Sequence, residues 1–315
     1  MERAKVLLLG AGALGVFFTS KLAAAGAETV VAARSDYDAV RTRGYEIDDR
    51  GTVGRFVPDQ VIRSAAECPF SPDYVIVAAK VLPEIRPEIL TAGLPLSDPT
   101  AIVLIQNGIG IEGPFADCFP KHEILSAVAY LCASRPESGK VVNTGPGKLE
   151  MGSYPAGAPS PAAKRLAELF TAGGAPCRLL DNVQTARWRK LLWNVPFNPV
   201  SVLAGGADTG WLCDGAEREK LCRDLMGEVI AAAASEDIAI APEEADEMMA
   251  YTRSLTPYNS SMLQDYLTGR PLEVEAILGN TLRIARKNGV SVPKMETCYA
   301  LLESIDALRR KQRHS

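Results

Sequence analysis

The sequence predicts an α/β protein with a mostly parallel, doubly wound sheet in its N-terminal part and an all-α C-terminal part. Three observations lead to this prediction. A glycine-rich strand–helix–strand unit opens the chain, strands and helices alternate up to about residue 181, and only helical periodicity follows. We therefore predict two domains, residues 1–181 and residues 182–315, each long enough to bury its own core.

The predicted strand–helix–strand unit consists of a short apolar strand, a helix and a second buried strand, at residues 5–9, 14–25 and 28–33. Three glycines with the spacing G-x-G-x-x-G lie between the first strand and the helix: Gly10, Gly12 and Gly15. In this context the pattern indicates a turn that binds a dinucleotide.

Each glycine has a physical role in this interpretation. Gly10 permits the tight turn after the strand, Gly12 lets a pyrophosphate approach the backbone, and Gly15 lets the helix pack closely on the sheet. The free N–H groups at the start of the helix would then face the phosphates. We predict that the cofactor is bound at this turn by Gly10, Ala11, Gly12, Ala13, Leu14 and Gly15.

The end of the second strand distinguishes NADP from NAD. NAD sites usually carry Asp or Glu there, about 20 residues past the glycines, to bind the ribose 2′-hydroxyl. This strand instead ends in Val-Val-Ala-Ala followed by Arg34, whose guanidinium suits a 2′-phosphate. The sequence therefore favours NADP(H), although Asp36 lies close enough to keep NAD as an alternative.

Further elements continue the alternation along the N-terminal part. Strands are predicted at residues 45–48, 55–62, 74–79, 101–105, 124–132 and 177–181, and helices at residues 36–43, 83–92 and 162–172. Residues 49–54 are expected to form a turn. Residues 140–143 and 148–152 are expected to form a hairpin around the sequence TGPG.

Two polar residues follow predicted strands of this sheet. Lys80 comes directly after the strand at 74–79, and Asn107 follows the strand at 101–105. Ligands of doubly wound sheets bind outside the carboxyl ends of the strands. We therefore expect Gly10, Arg34, Lys80 and Asn107 to line one crevice.

The C-terminal part has a helical period throughout. Leu221, Leu225 and Val229 form one apolar stripe of a helix predicted over residues 217–235. Further helices are predicted at residues 243–252, 260–266, 272–288 and 293–311. Gly289 ends the fourth helix of this part, and Pro293 suits the first turn of the last one.

Composition excludes several classes of protein. A net charge of −4 gives no reason to expect a nucleic-acid partner. The first 26 residues resemble a signal peptide, but the glycine spacing explains them better. Seven scattered cysteines without a C-x-x-C pair indicate a reducing compartment. His122 and His314 form no metal-ligand pattern, so we predict no metal. We also predict a cytoplasmic protein without a membrane segment.

A second group of polar residues lies in the segment RWRKLLWNVPFNPVSVL. Lys190, Asn194 and Asn198 recur every four residues and would share one helix face. Because amides and ammonium groups are costly to bury, they either satisfy one another structurally or face a polar ligand. Pro196 and Pro199 are expected to bend or end the helix.

The last informative stretch is NSSMLQDYLTGRPLEVEA, residues 259–276. Ser260 and Ser261 can each cap the helix that begins there. Glu273 and Glu275 interrupt an apolar helical pattern, and periodicity does not decide which of them points inward.

These motifs together resemble the ketopantoate reductase (2-dehydropantoate 2-reductase) family over almost the whole chain. The matching pieces are GAGALG, Lys80 at a strand end, QNG at 106–108, W-R-K-L-x-x-N-x-x-x-N-P at 188–199, and SSMLQD followed by EVE within 260–275. The resemblance implies an N-terminal Rossmann domain, a C-terminal domain like that of 6-phosphogluconate dehydrogenases, and NADPH-dependent reduction of ketopantoate to pantoate in pantothenate and coenzyme A synthesis.

The resemblance also implies roles for individual residues. Lys190 is expected to be the general acid and Glu273 the carboxylate that orients the substrate and the lysine. The substrate would be bound by Asn194, Asn198, Ser261 and Asn107. Arg34 and Lys80 would hold the cofactor phosphates, with Asn107 beside the nicotinamide. Trp193, Pro196 and Leu272 depart from the expected motifs and are positioned to reshape the substrate pocket.

The chemistry agrees with these residue types, because a lysine ammonium can stabilise the charge that develops on a ketone oxygen and then donate its proton. Two alternatives stay open: an NADP-dependent reductase of another small 2-oxo acid, and a protein that senses NADP without turnover. We expect a small-molecule substrate, no nucleic-acid or membrane partner, and a homodimer as the candidate assembly.

Overall fold

The computed structural model describes residues 2–314, and of Arg313 and His314 it describes the backbone alone. Within this range the chain forms two compact units. The first comprises residues up to Lys80, 84–107 and 111–183; the second comprises 81–83, 108–110 and residues from Gln184 onward. Each unit has its own hydrophobic core.

The first unit is built on a mostly parallel sheet with helices, as predicted. In chain order its described strands are β1 (Lys5–Leu9), β2 (Glu28–Ala32), β3 (Tyr45–Asp49), β4 (Thr52–Phe56), β5 (Gln60–Ile62), β6 (Tyr74–Val77), β7 (Ala101–Leu104), β8 (Glu123–Tyr130), β9 (Ala133–Ser134), β10 (Lys140–Asn143), β11 (Lys148–Tyr154) and β12 (Cys177–Leu179). Among the described residues, eight strands form one sheet in the order β12-β11-β8-β7-β6-β1-β2-β5. Only the β11–β8 pair of this sheet is antiparallel.

The helices of this unit are α1 (Ala13–Ala24), α2 (Tyr37–Arg43), α3 (Pro87–Leu90), α4 (Gly113–Cys118) and α5 (Pro161–Ala172). The predicted helix at residues 83–92 is wrong in length, since only α3 forms. Pro87 has no N–H and occupies the first turn, which suits the start of a helix better than its interior.

The predicted hairpin at residues 140–152 is wrong. Both strands exist, but β10 pairs with β3 and β9 in a separate sheet of order β4-β3-β10-β9, whereas β11 pairs with β8 and β12. The intervening loop binds the end of β8 instead: Thr144 donates its N–H to the Cys132 carbonyl at 3.0 Å, and Gly147 donates to the Tyr130 carbonyl at 3.0 Å. The two strands therefore leave the loop into different sheets.

The predicted turn at residues 49–54 is shorter in the structure. β3 and β4 pair up to Asp49 and Thr52, which leaves Arg50 and Gly51 as a two-residue turn with φ of 55° and 85°. Positive φ at both positions is typical of the type I′ turn that matches the twist of a hairpin. The predicted strand at 55–62 is divided at Pro58, which has no N–H to donate to a neighbouring strand.

The second unit is helical, as predicted. Its helices are α6 (Val183–Leu203), α7 (Thr209–Cys213), α8 (Ala216–Ala234), α9 (Glu243–Ser254), α10 (Ser261–Leu267), a π-helical turn (Glu275–Gly279), α11 (Asn280–Lys287) and α12 (Pro293–His314). Pro196 and Pro199 do not end α6, which continues through both to Leu203. The buried side chains of Trp188, Val195 and Phe197 pack this helix into the core on either side of the prolines.

Asp49 joins three elements of the first unit. It accepts hydrogen bonds from Lys21 Nζ of α1 at 2.7 Å and from Asn143 Nδ2 of β10 at 2.9 Å. Burial alone would raise the pKa of Asp49, but these hydrogen bonds and the Lys21 charge outweigh it and the pKa is lowered. Ionised Asp49 therefore stabilises the fold.

We expect Asp49→Asn to lower the free energy of unfolding by about 1–3 kcal/mol at pH 7, because it removes a charge-assisted hydrogen bond. Because the pKa is lower in the folded state, this contribution is present above the unfolded pKa and is lost as pH falls below it. Urea unfolding at pH 7 and at pH 3 should show the difference between wild type and variant shrinking. Asp38→Asn is the control, since Asp38 is exposed. Equal stability of wild type and Asp49→Asn at pH 7 would refute this role.

Candidate functional site

The first group of predicted site residues lies at the carboxyl edge of the large sheet in the first unit. β1 is flanked by β2 on one side and β6 on the other, so the strand order reverses beside it. Crevices of doubly wound sheets open at such a point. Gly10 follows β1, Arg34 follows β2, Lys80 follows β6 and Asn107 follows β7, and all four strands are parallel.

The glycine-rich turn has the geometry predicted for two of its glycines. Gly10 has a φ of +100°, and a Cβ there would stand 2.2 Å from the Ala79 nitrogen. A Cβ at Gly15 would stand 2.4 Å from the Gly10 carbonyl oxygen and 2.9 Å from Leu8 Cδ1, so α1 packs closely on the sheet. At both positions only hydrogen fits.

Gly12 differs from the other two glycines. A Cβ built there meets no heavy atom within 4 Å, so the protein itself leaves space beside this backbone. Gly12 is also the N-cap of α1, and no side chain caps the helix at this residue. Open space next to uncapped N–H groups is what a phosphate at a helix N-terminus needs.

Arg34 and Asp36, the two residues on which the prediction of NADP over NAD rests, have different surroundings. Arg34 is exposed, and no described residue hydrogen-bonds its guanidinium. Asp36 is 5% exposed, and its carboxylate accepts hydrogen bonds from Arg135 at 2.9 Å and from the Gly139 N–H at 3.3 Å. The acidic alternative is therefore already engaged by the protein.

Lys80 and Asn107 lie in the loops after β6 and β7, and both are half-buried. These loops are tied together, since Gln106 donates from Nε2 to the Ala79 carbonyl at 2.6 Å. The link keeps the two strand ends, and the residues that follow them, at the same edge of the sheet.

The second group of predicted site residues lies on α6 in the second unit. Because the helix is continuous, Lys190, Asn194 and Asn198 share one face. Asn194 is 4% exposed and Asn198 is 1% exposed, whereas Lys190 is half-buried. The face therefore leads from a partly accessible ammonium group to two enclosed amides.

Asn198 has an unused hydrogen-bond donor. Its Oδ1 accepts from Ser261 Oγ at 3.5 Å, but among residues 2–314 nothing accepts a hydrogen bond from its buried Nδ2. A buried donor without a partner costs on the order of 1–3 kcal/mol. A ligand or an ordered water that reaches this position would supply the missing acceptor.

Ser260 and Ser261 have separate tasks. Ser260 is the N-cap of α10, and its Oγ accepts from the Leu263 N–H at 3.2 Å and contacts Ser201 Oγ of α6 at 2.8 Å. Ser261 does not cap the helix, so the expectation that either could do so holds only for Ser260. The contact with Ser201 fixes the start of α10 beside α6 and brings Ser261 to Asn198.

The two glutamates before α11 are also distinguished. Glu275 accepts from Tyr299 Oη at 2.6 Å and from Arg283 at 2.9 Å, so it belongs to a network that holds α11 and α12. Glu273 accepts from the Val81 N–H at 3.0 Å and is half-buried. The π-helical turn that begins at Glu275 is a feature often found near functional sites.

Some residues of interest were not found from the sequence. Arg135 binds both the glycine-rich turn and Asp36, yet it lies in a segment without periodicity or motif, so nothing in the sequence marks it. Arg63 follows β5 as Arg34 follows β2, and its position after a predicted strand could have been noticed. Its guanidinium lies 3.8 Å from the centre of the Tyr37 ring.

Other kinds of site find no support in the described residues. Between residues 2 and 314 no group of three or more metal-binding side chains occurs. No helix in the described chain is long and apolar enough to cross a membrane. All seven cysteines are free, and burial raises the pKa of the Cys177 and Cys222 thiols to about 12, which makes them poor nucleophiles.

Comparison with known proteins confirms the family predicted from the motifs. Residues 6–156 match the family model described as ketopantoate reductase PanE/ApbA, and residues 182–306 match the model of its C-terminal part. The 2-dehydropantoate 2-reductase of Nostoc sp. is 31% identical and the match covers 98% of each chain.

Solved structures agree with this assignment. The 2-dehydropantoate 2-reductase from Methylococcus capsulatus is 36% identical, with a TM-score of 0.88 over 96% of this chain and 97% of that chain. D-mandelate dehydrogenase, solved with NADH and anilino(oxo)acetate, shares the fold at 22% identity, with a TM-score of 0.85 over 97% and 99% of the two chains. The Rossmann-type sheet, the helical second unit and these matches together show that the chain belongs to the ketopantoate reductase family.

Proposed function

We propose that the protein is an NADPH-dependent reductase that converts 2-dehydropantoate (ketopantoate) to pantoate, the reaction for which its relatives of 31% and 36% identity are named. The observation that carries the proposal is the face of α6, where the half-buried Lys190 precedes two enclosed amides and Asn198 keeps a buried donor without a partner. A small, polar 2-oxo acid offers the acceptors that such a face needs.

The glycine-rich turn fits a dinucleotide. Space at Gly12, uncapped N–H groups of α1 and the tight turn at Gly10 provide room and donors for phosphates. The exposed Arg34 would hold the 2′-phosphate, Lys80 would contact a phosphate or ribose, and Asn107 would lie by the nicotinamide. When bound, the reduced nicotinamide supplies the hydride that the ketone carbon accepts.

The residues of the second unit would handle the charge and the proton. As the carbonyl oxygen becomes negative, the Lys190 ammonium stabilises it and then gives it a proton, which the lysine regains from water. Asn194, Asn198 and Ser261 would hydrogen-bond the polar groups of the substrate. Glu273 would orient the ammonium group and the substrate.

We also propose the biological setting. Residues 1–181 would act as the NADP-binding domain and residues 182–315 as the substrate domain, in a cytoplasmic homodimer. Seven free cysteines agree with a reducing compartment. Size-exclusion chromatography with light scattering distinguishes a dimer from a monomer.

The test of this function is NADPH oxidation, followed at 340 nm, with 2-dehydropantoate in a panel of 2-oxo acids. We expect 2-dehydropantoate to have the highest kcat/KM. If the protein binds NADPH but reduces none of these acids, the result would instead support an NADP-sensing protein.

A second candidate substrate class comes from an aromatic stack. Trp193 stacks on Phe197 at 5.2 Å and on Tyr258 at 5.9 Å between ring centres, beside the two amides of α6. Phe197 is buried in the core, so we propose that the half-buried Trp193 borders the substrate and favours 2-oxo acids with a larger apolar substituent. D-mandelate dehydrogenase shares the fold, so the fold does not choose between the two classes. A higher kcat/KM for phenylglyoxylate than for 2-dehydropantoate would favour the second.

Replacing Arg34 tests the cofactor. We expect Arg34→Gln to weaken NADPH binding by about 10- to 100-fold, because a charge-assisted contact with the 2′-phosphate is lost, and to leave NADH binding nearly unchanged. Fluorescence titration of each nucleotide provides the measurement. The control is Arg41→Gln, an exposed arginine on the neighbouring helix α2. Equal losses for both nucleotides would argue against contact with the 2′-phosphate.

A further inference from the structure

Arg135 connects two parts of the nucleotide-binding edge in the first unit. One guanidinium nitrogen, Nη1, donates to the Ala11 carbonyl of the glycine-rich turn at 2.8 Å. The other, Nη2, donates to Asp36 Oδ1 at 2.9 Å. Its side chain is 23% exposed, so both bonds are largely protected from water. A single side chain thus ties the phosphate-binding turn to the loop after β2.

Asp36 lies a few positions beyond β2, close to the strand end where an NAD-binding protein carries its acidic residue. Its carboxylate is nevertheless committed to the protein. Besides Arg135, it accepts from Ser35 Oγ at 3.1 Å and from the Gly139 N–H at 3.3 Å, and it is 5% exposed. A carboxylate that is paired and enclosed in this way is not available to a ribose hydroxyl.

The consequence of losing this pair follows from electrostatics. Without Arg135, the Asp36 carboxylate would lose the cation that pairs with it in the structure, and it lies within two residues of Arg34. A buried unpaired charge is unfavourable, so the carboxylate would turn towards solvent and the cofactor edge. There it would repel a 2′-phosphate and accept a hydrogen bond from a 2′-hydroxyl.

We propose that Arg135 is a positioning residue that sets the preference of this protein for NADPH over NADH. It holds the Asp36 carboxylate away from the ribose, and it holds the Ala11 carbonyl so that the N–H groups of the turn stay directed at the phosphates. This inference rests on the proposed cofactor site, and it adds a determinant that neither touches the 2′-phosphate nor belongs to the glycine motif.

The experiment measures the dissociation constants of NADPH and NADH by calorimetry, without substrate, for wild type, Arg135→Met, Arg135→Lys, Asp36→Asn and the double variant Arg135→Met/Asp36→Asn. We expect Arg135→Met to lower the ratio of the NADH to the NADPH constant by about tenfold or more. Asp36→Asn in that background should restore the ratio, because no carboxylate remains to be released. For Arg135→Lys we expect a ratio between those of wild type and Arg135→Met, because a single ammonium group replaces a bidentate guanidinium.

Each outcome decides something. If Arg135→Met weakens both nucleotides equally, or if the double variant does not recover the ratio, Arg135 supports the fold alone and the inference is wrong. If Arg135→Met does not fold, Arg135→Lys still decides, because an unchanged ratio there contradicts the inference. The single variant Asp36→Asn should prefer NADPH at least as strongly as wild type. If the wild-type protein binds neither nucleotide, the proposed function itself fails. If the wild-type protein prefers NADPH, the proposed cofactor site stands and the variants test the role of Arg135 alone.

Discussion

Replacing Lys190 with alanine is expected to lower kcat by about 10²- to 10⁴-fold while the fold and the affinity for NADPH stay unchanged. The lysine is the described ammonium group on the face of α6 that carries Asn194 and Asn198. If it stabilises the developing oxyanion and donates the proton, its loss removes an interaction made mainly in the transition state. Both kcat and kcat/KM should therefore fall.

The matched control for this prediction is Arg189→Ala. Arg189 is the preceding residue of the same helix, but it is exposed and pairs with Glu244 of α9 at 2.9 Å. We expect this variant to keep turnover close to wild type. Steady-state kinetics, calorimetric titration of NADPH and a thermal unfolding curve for each variant separate catalysis from binding and folding. A Lys190→Ala protein with near-normal kcat would remove the lysine from the mechanism.

Alanine at Gly10 and alanine at Gly12 should impair different properties, stability in the first case and nucleotide binding in the second. At Gly10 the new Cβ would collide with the Ala79 nitrogen, and the φ of +100° is strained for alanine. We expect Gly10→Ala to lower the free energy of unfolding by several kcal/mol, of which about 1–3 kcal/mol comes from backbone strain. A loss of this size can prevent the first unit from folding. At Gly12 a Cβ meets nothing, so stability should change by less than about 1 kcal/mol.

The second half of this prediction concerns binding. The space at Gly12 is proposed to receive the pyrophosphate, so Gly12→Ala should weaken NADPH binding by about 100-fold, equivalent to about 3 kcal/mol. Thermal unfolding without nucleotide and calorimetry with nucleotide test the two effects separately. Gly157→Ala is a control, because that loop glycine also has open space around it. A Gly12→Ala protein with wild-type affinity would contradict a phosphate at this turn.

Most of the fold could be predicted from local patterns in the sequence. The strand at Lys5–Leu9, the tight turn at Gly10 and the helical periods of the C-terminal part each depend on residues close together in the chain, and the structure contains each of them. Lys80 and Asn107 could be assigned to one edge because parallel strands end on the same side of a sheet.

Pairing between distant strands could not be predicted. β10 and β11 are separated by a loop that looks like a hairpin turn, yet β10 pairs with β3, about 90 residues earlier. The short sequence between them carries no information about that partner. The division of β4 from β5, by contrast, follows from Pro58 and could have been anticipated.

At the candidate site, too, positions within one helix could be predicted from the sequence, whereas contacts between distant residues could not. The spacing of Lys190, Asn194 and Asn198 is a property of one helix and was correctly assigned to one face. The engagement of Asp36 by Arg135 joins residues 99 positions apart, so sequence alone left Asp36 as a competitor for the cofactor ribose. The choice between Glu273 and Glu275 likewise needed the partners Tyr299 and Arg283.

The passage of α6 through two prolines has a consequence for engineering. Pro196 and Pro199 each remove an amide proton from the middle of the helix, so a peptide of this sequence alone should be largely unstructured in water. The segment is held straight enough to be one helix by its burial around Trp188 and Phe197. Packing in the apolar core therefore sets the distance between the Lys190 ammonium group and the Asn198 amide. Substitutions that create a cavity in this core should lower kcat although they replace no polar group.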